Sequence, residues 1–209
     1  MATRLLPVDP RAPSEEALAE AARVLRAGAI VALPTETFYG LAADPFLPGT
    51  LAAVNALKGK DATSPILLLA ADRAQAEALM AARPRAFDAL ASLWPAPLTL
   101  VLRASAAVPA DVSGGRGTVA VRVPALALPR LLAGRVGRAV TGVSANRTGE
   151  PPPVCADEVA AAFPEGLGLL LDGGETPGEA PSTIVDLTVE PPQPIRVGAI
   201  AWSTLLDRL

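Results

Sequence analysis

Apolar and polar positions in this chain fall into short blocks that switch between a helical period and unbroken apolar runs. Behind Ser14, residues 15–26 carry acids in the first turn, an Ala/Leu-rich body and a base in the last turn, with Gly28 just past the end. That punctuation predicts a capped helix. Residues 29–33 are apolar without alternation, as in a strand covered on both faces of a sheet. A polar turn follows, then a helix over 50–57 that delivers Lys58, Gly59 and Lys60 at its C-terminal end. Residues 66–70 predict a second buried strand, Asp72 caps a helix from 73 to about 83, and another helix covers 86–93.

Strands are expected at 98–102 and 118–123, separated by the turn-rich stretch 113–117. In the second, Val119, Val121 and Val123 alternate with Ala120 and Arg122, so Arg122 projects from the face opposite the valines. A short helix over 126–132, a strand over 139–143 running into Ser144-Ala145-Asn146, and a helix over 157–163 come next. Strands at 167–171, 182–187 and 195–197 complete the pattern, and residues 1–13 read as an extended N-terminal segment. No linker or repeat divides the chain, so 1–209 is expected to form one α/β domain with a twisted mixed sheet and flanking helices.

Composition narrows the chemistry. The chain has 209 residues, 51% of them hydrophobic, enough for one substantial core. A formal net charge of -3 and a pI near 5.1 argue against a surface that is basic overall, so nucleic acid would need a local patch. The single Cys155 excludes an intramolecular disulfide and suits a reducing compartment. There is no histidine, which removes imidazole bases, His-containing triads and His metal sites. The first residues lack a long apolar h-region and no apolar stretch reaches the ~20 residues of a membrane span, so a soluble cytoplasmic protein is expected.

Candidate functional groups gather at predicted strand ends, where ligand crevices of open α/β sheets lie. Thr35 and Thr37 leave the first strand, Ser144 and Asn146 another, and Ser182-Thr183 opens a third. Arg122 and Arg196 sit in or beside apolar strands and need anionic partners, either a ligand or a carboxylate of the chain. Lys58 and Lys60 could serve an anion or satisfy the last-turn carbonyls of their helix. Residues 113–117 could be a phosphate nest or a surface loop, and Glu36 could be an acid–base group or part of the turn. Asp172-Gly173-Gly174 reads as a turn, Cys155 as incidental, and Ser144 lacks both a histidine and a GxSxG context.

Taken together, PTETFYGLAAD (34–44), KGK (58–60), WPAPLTLVL (94–102), TVAVRVP (118–124), SANRTGEPP (144–152), PSTIVD (181–186) and IRVGAI (195–200) carry a resemblance. The chain resembles the YrdC-like family of threonylcarbamoyl-AMP synthases in its short, single-domain form. That resemblance implies the YrdC-like α/β fold with a wide, positively lined cavity. It also implies a reaction: L-threonine, bicarbonate and ATP give threonylcarbamoyl-adenylate and pyrophosphate, and the adenylate feeds tRNA modification by downstream threonylcarbamoyl transferase proteins. Lys58 and Lys60 fall on the family's phosphate-contacting KxR pair, giving them the catalytic role, and Ser144 and Asn146 fall on its SxN pair. The pattern puts L-threonine near Thr37, Arg122, Ser144 and Ser182, and the nucleotide near Lys58, Lys60, Ser64, Thr118, Asn146 and Arg196. Mg²⁺ is expected with ATP, held mainly by phosphates and water, with no protein metal site. The chain departs from the family at Lys60, where arginine is usual, at Leu69, where longer members carry histidine, and at Val154, where some have a hydroxyl. The last two suggest a variant substrate pocket. The alternatives are a module that binds RNA and a paralogue acting on another carbamoyl or nucleotide substrate.

Overall fold

A computed structural model of the protein describes residues 3–61 and 64–209; Met1 and Ala2, at the start of the expected extended segment, lie outside them. The fold is mixed α/β with flanking helices, as the sequence predicts, but the mixed sheet is in fact two. The first is built from β1 (Leu5–Pro7), β2 (Val31–Pro34), β3 (Tyr39–Ala42), β8 (Val143–Ser144) and β9 (Leu169–Asp172), in the order β1-β9-β2-β3-β8. The second holds β4 (Leu67–Leu69), β5 (Leu98–Arg103), β6 (Thr118–Arg122), β7 (Val140–Thr141), β10 (Thr183–Asp186) and β11 (Gln193–Arg196), in the order β11-β10-β5-β6-β4-β7.

Both sheets are buried by alternation within apolar runs. Ile30 and Ala32 face the large core between the sheets, with Leu68, Leu98, Leu100 and Val121. Val31 and Leu33 face the other way, onto Leu18, Ala21, Ala22 and Leu25 of α1 (Glu15–Arg26) and onto Leu128 and Leu132 of α5 (Ala127–Val136). A strand with apolar side chains on both faces needs such cover, since each face must leave water. The α1 start is as predicted: Ser14 Oγ accepts the Ala17 amide at 3.2 Å.

The strand expected over 139–143 proves to be two strands, one in each sheet. Thr141 in β7 pairs with Leu68 of β4, while Val143 in β8 pairs with Leu41 of β3. Between them Gly142 passes so close to Leu69 that a Cβ there would overlap that side chain. Thr141 ties the sheets together, donating its hydroxyl to Leu41 O and accepting the Ala43 amide, both at 2.8 Å. The cleft described below takes its walls from strands and turns of both sheets.

Other differences are local. β1 pairs with β9 in parallel, so part of the expected N-terminal extension is a strand. β3 was not predicted. The helix expected from 73 to about 83 stops early, α3 covering only Arg73–Glu77, because Met80 bridges to Ala104 as extended chain. Its Asp72 cap is as expected, accepting the Gln75 amide at 2.8 Å. The helix over 86–93 shortens to α4 (Phe87–Ala91), α6 spans Ala156–Ala162, and α7 (Trp202–Leu206) was not foreseen. Residues 113–117 form an ordered turn after a 3₁₀ segment (Ala110–Ser113), in which buried Ser113 accepts the Gly117 amide through Oγ at 3.1 Å.

Candidate active site

Helix α2 (Thr50–Lys58) ends on Gly59 in the left-handed conformation, φ 67°. The Gly59 amide bonds Ala56 O at 3.0 Å and the Lys60 amide bonds Asn55 O at 2.8 Å, a Schellman stop. The sharp turn separates the two lysines: Lys58 is 3% exposed while Lys60 lies at the surface. Neither caps its own helix through its side chain in the way lysines at such positions commonly do. Instead Lys58 Nζ donates to Ser144 O, to Asn146 O at 2.6 Å and to Asn146 Oδ1 at 3.3 Å. Its carbonyl in turn accepts the amide and the hydroxyl of Thr148, each at 2.9 Å. Lys58 is thus a clasp between α2 and the segment 144–148. Its three protons are committed, so its charge acts on a ligand through space, whereas Lys60 is free to reach one. Burial, and then the neighbouring Lys60 charge, lowers the Lys58 pKa to about 8.

The cleft has a volume of about 660 Å³ and takes its walls from distant parts of the chain. The β2–β3 turn contributes Thr35, Thr37 and Phe38; Lys58 and Lys60 come from the end of α2, and Arg122 from the end of β6. Ser144 closes β8, Ser182 precedes β10, and Arg196 ends β11. Arg122 is 3% exposed, and its nearest acid is Glu36, with Nη1 to Oε1 at 3.4 Å. Among the described residues, Arg122 Nε and both Glu36 carboxylate oxygens are buried without a hydrogen-bond partner. The pair is therefore loose, and the guanidinium keeps a free edge for an anion. Burial lowers the Arg122 pKa and Glu36 opposes the shift; the group stays charged.

Arg196 is anchored without a carboxylate. Its Nε and Nη2 donate to Ser182 O at 3.0 and 2.9 Å, and Nη2 also reaches Ser182 Oγ at 3.1 Å. Burial and then the Arg122 charge lower its pKa, so the two guanidiniums feel one another. Ser182 Oγ lies 3.0 Å from buried Thr99 Oγ1, which stiffens this corner. Tyr39, also in the wall, is a structural pin: its hydroxyl donates to Gly174 O at 2.7 Å and accepts the Gly173 amide at 3.2 Å. Burial pushes its pKa up to about 12.

Of the residues expected at the site, Thr37, Lys58, Lys60, Arg122, Ser144, Ser182 and Arg196 share this one cleft. Three do not line it. Asn146 lies behind Lys58 and belongs to an adjoining hollow with Arg147, Glu150 and Pro151. Thr118 pairs with Arg103 at the start of β6, and Ser64 bonds back to Asp61 O at 3.0 Å. The expectation of a variant pocket is corrected on two counts: Leu69 is core under Gly142, and Val154 packs against Gly178 outside the cleft. The sequence offers Thr35 as a candidate at a strand end and leaves Glu36 open between an acid–base group and part of the turn. Their signal was present in the same TET triplet, but only the fold shows that Glu36 meets Arg122.

Comparison with known proteins agrees with this architecture. The Sua5–YciO–YrdC family model, described as telomere recombination, matches residues 23–198. A threonylcarbamoyl-AMP synthase of Pyrococcus abyssi is 39% identical over 181 residues, 86% of this chain and 53% of that protein. The chain therefore spans about half the length of that relative. A threonylcarbamoyl-AMP synthase of Chromohalobacter salexigens is 39% identical over 171 residues, 81% of this chain and 92% of that protein. The crystal structure of P. abyssi Sua5 complexed with L-threonine superposes with a TM-score of 0.94 at 36% identity, covering 99% of this chain and 61% of that one.

Proposed function

This chain belongs to the Sua5–YciO–YrdC family, and on that premise we propose that it is an L-threonylcarbamoyladenylate synthase. It would join L-threonine, bicarbonate and ATP into threonylcarbamoyl-AMP and pyrophosphate. The observation that carries the reading is the convergence of Lys58, Lys60, Arg122 and Arg196 with the hydroxyls of Thr37, Ser144 and Ser182 on one cleft. Four cations lining one cleft, of which Arg122 is paired only loosely with Glu36, favour a ligand with several negative charges, and the hydroxyls suit a small polar amino acid.

In this reading the free edge of Arg122 takes the threonine carboxylate. Lys60 reaches the nucleotide phosphates, with Lys58 and Arg196 adding charge behind it. The amine adds to the bicarbonate carbon and water is lost, giving a carbamate whose oxygen attacks the α-phosphorus while pyrophosphate leaves. Such chemistry asks the protein mainly to position reactants and balance charge, which a chain without histidine can do. Mg²⁺ would arrive with ATP, held by phosphate oxygens and water; among the described residues no group of three or more His, Cys, Asp or Glu is placed to hold a metal ion. The product would pass to threonylcarbamoyl transferase proteins acting on tRNA in the cytoplasm. Among the described residues no helix is long and apolar enough to cross a membrane.

The RNA-binding alternative is less favoured. The formal net charge is -3, and among the described residues six surface arginines are paired with acids: Arg4 and Arg23 with Glu20, Arg73 and Arg83 with Glu77 and Asp88, Arg135 with Glu15, and Arg138 with Asp44. The deciding experiment is pyrophosphate release with each of L-threonine, bicarbonate and ATP omitted in turn. ATP turnover without threonine would point to another acceptor, and salt-sensitive RNA retention without turnover to the binding module.

A further inference from the structure

Strand β10 sorts its side chains to two sides. Val185 points into the large core, with Leu98, Leu100 and Val121 of the neighbouring strands. Ile184, one residue earlier, points the other way and lines the cleft, half-buried. Register sets its company. Ile184 pairs with Arg196 on β11 and with Thr99 on β5, and the Leu100–Val121 pairing of β5 with β6 brings Arg122 next in that row. At roughly 4.8 Å per strand, the two arginines stand about 14 Å apart at the backbone, with Ile184 between them. Thr99, in the same row, is fully buried and bonded to Ser182 Oγ at 3.0 Å, so Ile184 is what the row offers the cleft between its two cations.

The position is held firmly. Thr183 Oγ1 donates to Ile200 O at 2.6 Å and accepts the Gly198 and Ile200 amides at 2.9 and 3.1 Å, while Val185 is sealed in the core. A β-branched side chain between two such neighbours has little freedom at χ1. Among the described residues, three branched aliphatic side chains line the cleft: Leu67, Val143 and Ile184. Leu67 and Val143 pack against the apolar cores, whereas Ile184 belongs to neither. A preorganised apolar surface without an apolar partner in its own chain gains when a ligand covers it.

From this placement we propose that Ile184 is a specificity-determining residue, the surface that takes the γ-methyl of L-threonine and separates it from L-serine. The inference rests on the L-threonine reading above and deepens it. With the carboxylate at Arg122 and the phosphates toward Lys60 and Arg196, the β-carbon of the amino acid falls between the two guanidiniums, over Ile184. The hydroxyl on that carbon has polar neighbours in Ser144 and Ser182; the methyl needs an apolar one. One methyl in an apolar pocket is worth about tenfold or more against the analogue that lacks it.

The test is pyrophosphate release by the whole chain, by Ile184→Ala and by Ile184→Val, with kcat/KM measured for three amino acids. These are L-threonine, L-serine, which lacks the methyl, and L-α-aminobutyrate, which keeps the methyl and lacks the hydroxyl. The wild-type chain is expected to favour L-threonine over L-serine by about tenfold or more. Ile184→Ala is expected to cost L-threonine and L-α-aminobutyrate about tenfold each, chiefly through KM, and L-serine about twofold, so that the preference collapses. Ile184→Val is expected to lie between. Equal losses for all three amino acids would reduce Ile184 to a structural residue. A preference that survives in Ile184→Ala would assign the methyl to another wall, such as Phe38, and loss confined to L-threonine would assign Ile184 to the hydroxyl; each overturns the proposal. A wild-type chain that uses L-serine as well as L-threonine overturns it too. If Ile184→Ala does not fold, Ile184→Val carries the test, with an expected shift in the ratio of about threefold. Pyrophosphate release that needs no amino acid would instead overturn the L-threonine reading, and this proposal with it.

Discussion

Replacing Lys58 by methionine removes an ammonium while keeping the length and much of the packing of the side chain. In the folded protein that ammonium serves Ser144 O, Asn146 O at 2.6 Å and Asn146 Oδ1 at 3.3 Å. Each peptide carbonyl left buried without its donor costs about 1–3 kcal/mol. Relief from burying a charge returns part of that. The net expectation is a loss of about 2–4 kcal/mol in the local stability of the segment 144–148, or roughly thirtyfold to a thousandfold in exchange protection. The natural reporter is the Thr148 amide, bonded at 2.9 Å to the Lys58 carbonyl, followed by hydrogen exchange alongside a urea unfolding curve. Pyrophosphate release is expected to fall together with protection, because Ser144 forms part of the cleft wall. Wild-type protection and an unchanged urea midpoint, with turnover nonetheless abolished, would refute the clasp and place Lys58 directly on the substrate.

Other consequences can be checked separately. Gly198→Ala would put a Cβ onto the Pro181 carbonyl and within 2.9 Å of the Ser182 carbonyl carbon; thermal unfolding should show a loss of about 1–3 kcal/mol, with weaker L-threonine binding because Ser182 carries Arg196. Lys60 is the second cause, after burial, of the lowered Lys58 pKa, so Lys60→Ala should move the Lys58 titration from about 8 toward 10.5. Removing a like charge favours the protonated form, so the alkaline limb of any Lys58-dependent activity moves to higher pH. NMR of the lysine side chain reads the titration directly, and a downward or absent movement would contradict the assignment. Glu36→Gln leaves Arg122 without the carboxylate it pairs with and should tighten inorganic phosphate binding while lowering the urea midpoint; weaker phosphate binding would argue that Glu36 orients Arg122 instead.

Much of the fold was legible in local chemistry. Ser14 and Asp72 mark helix starts with side-chain caps, Gly59 marks a stop, and the unbroken apolar runs at 29–33 and 167–171 lie in or beside strands buried on both faces. What was hidden depends on partners far along the chain. β3 follows a polar turn and is held in place by β2 and β8, so its own sequence gives a weak signal. The division into two sheets turns on Gly142, whose neighbours pair with different strands, and no local period records that. The same holds for the site. Arg122 and Arg196 announced themselves as cations beside apolar strands, but the loose pair with Glu36 and the anchoring of Arg196 on Ser182 arise only when the elements converge. Lys58 illustrates the limit most clearly, since a lysine at a helix end gives no local sign that its ammonium will hold another segment.

The most direct measurement is a pyrophosphate-release assay on the purified chain with L-threonine, bicarbonate and MgATP supplied together and then omitted singly. Release that requires all three, accompanied by a threonylcarbamoyl-adenylate peak in mass spectrometry, is the expected result. Release that proceeds unchanged without L-threonine would contradict the assignment of the cation-lined cleft to an amino acid and a nucleotide together.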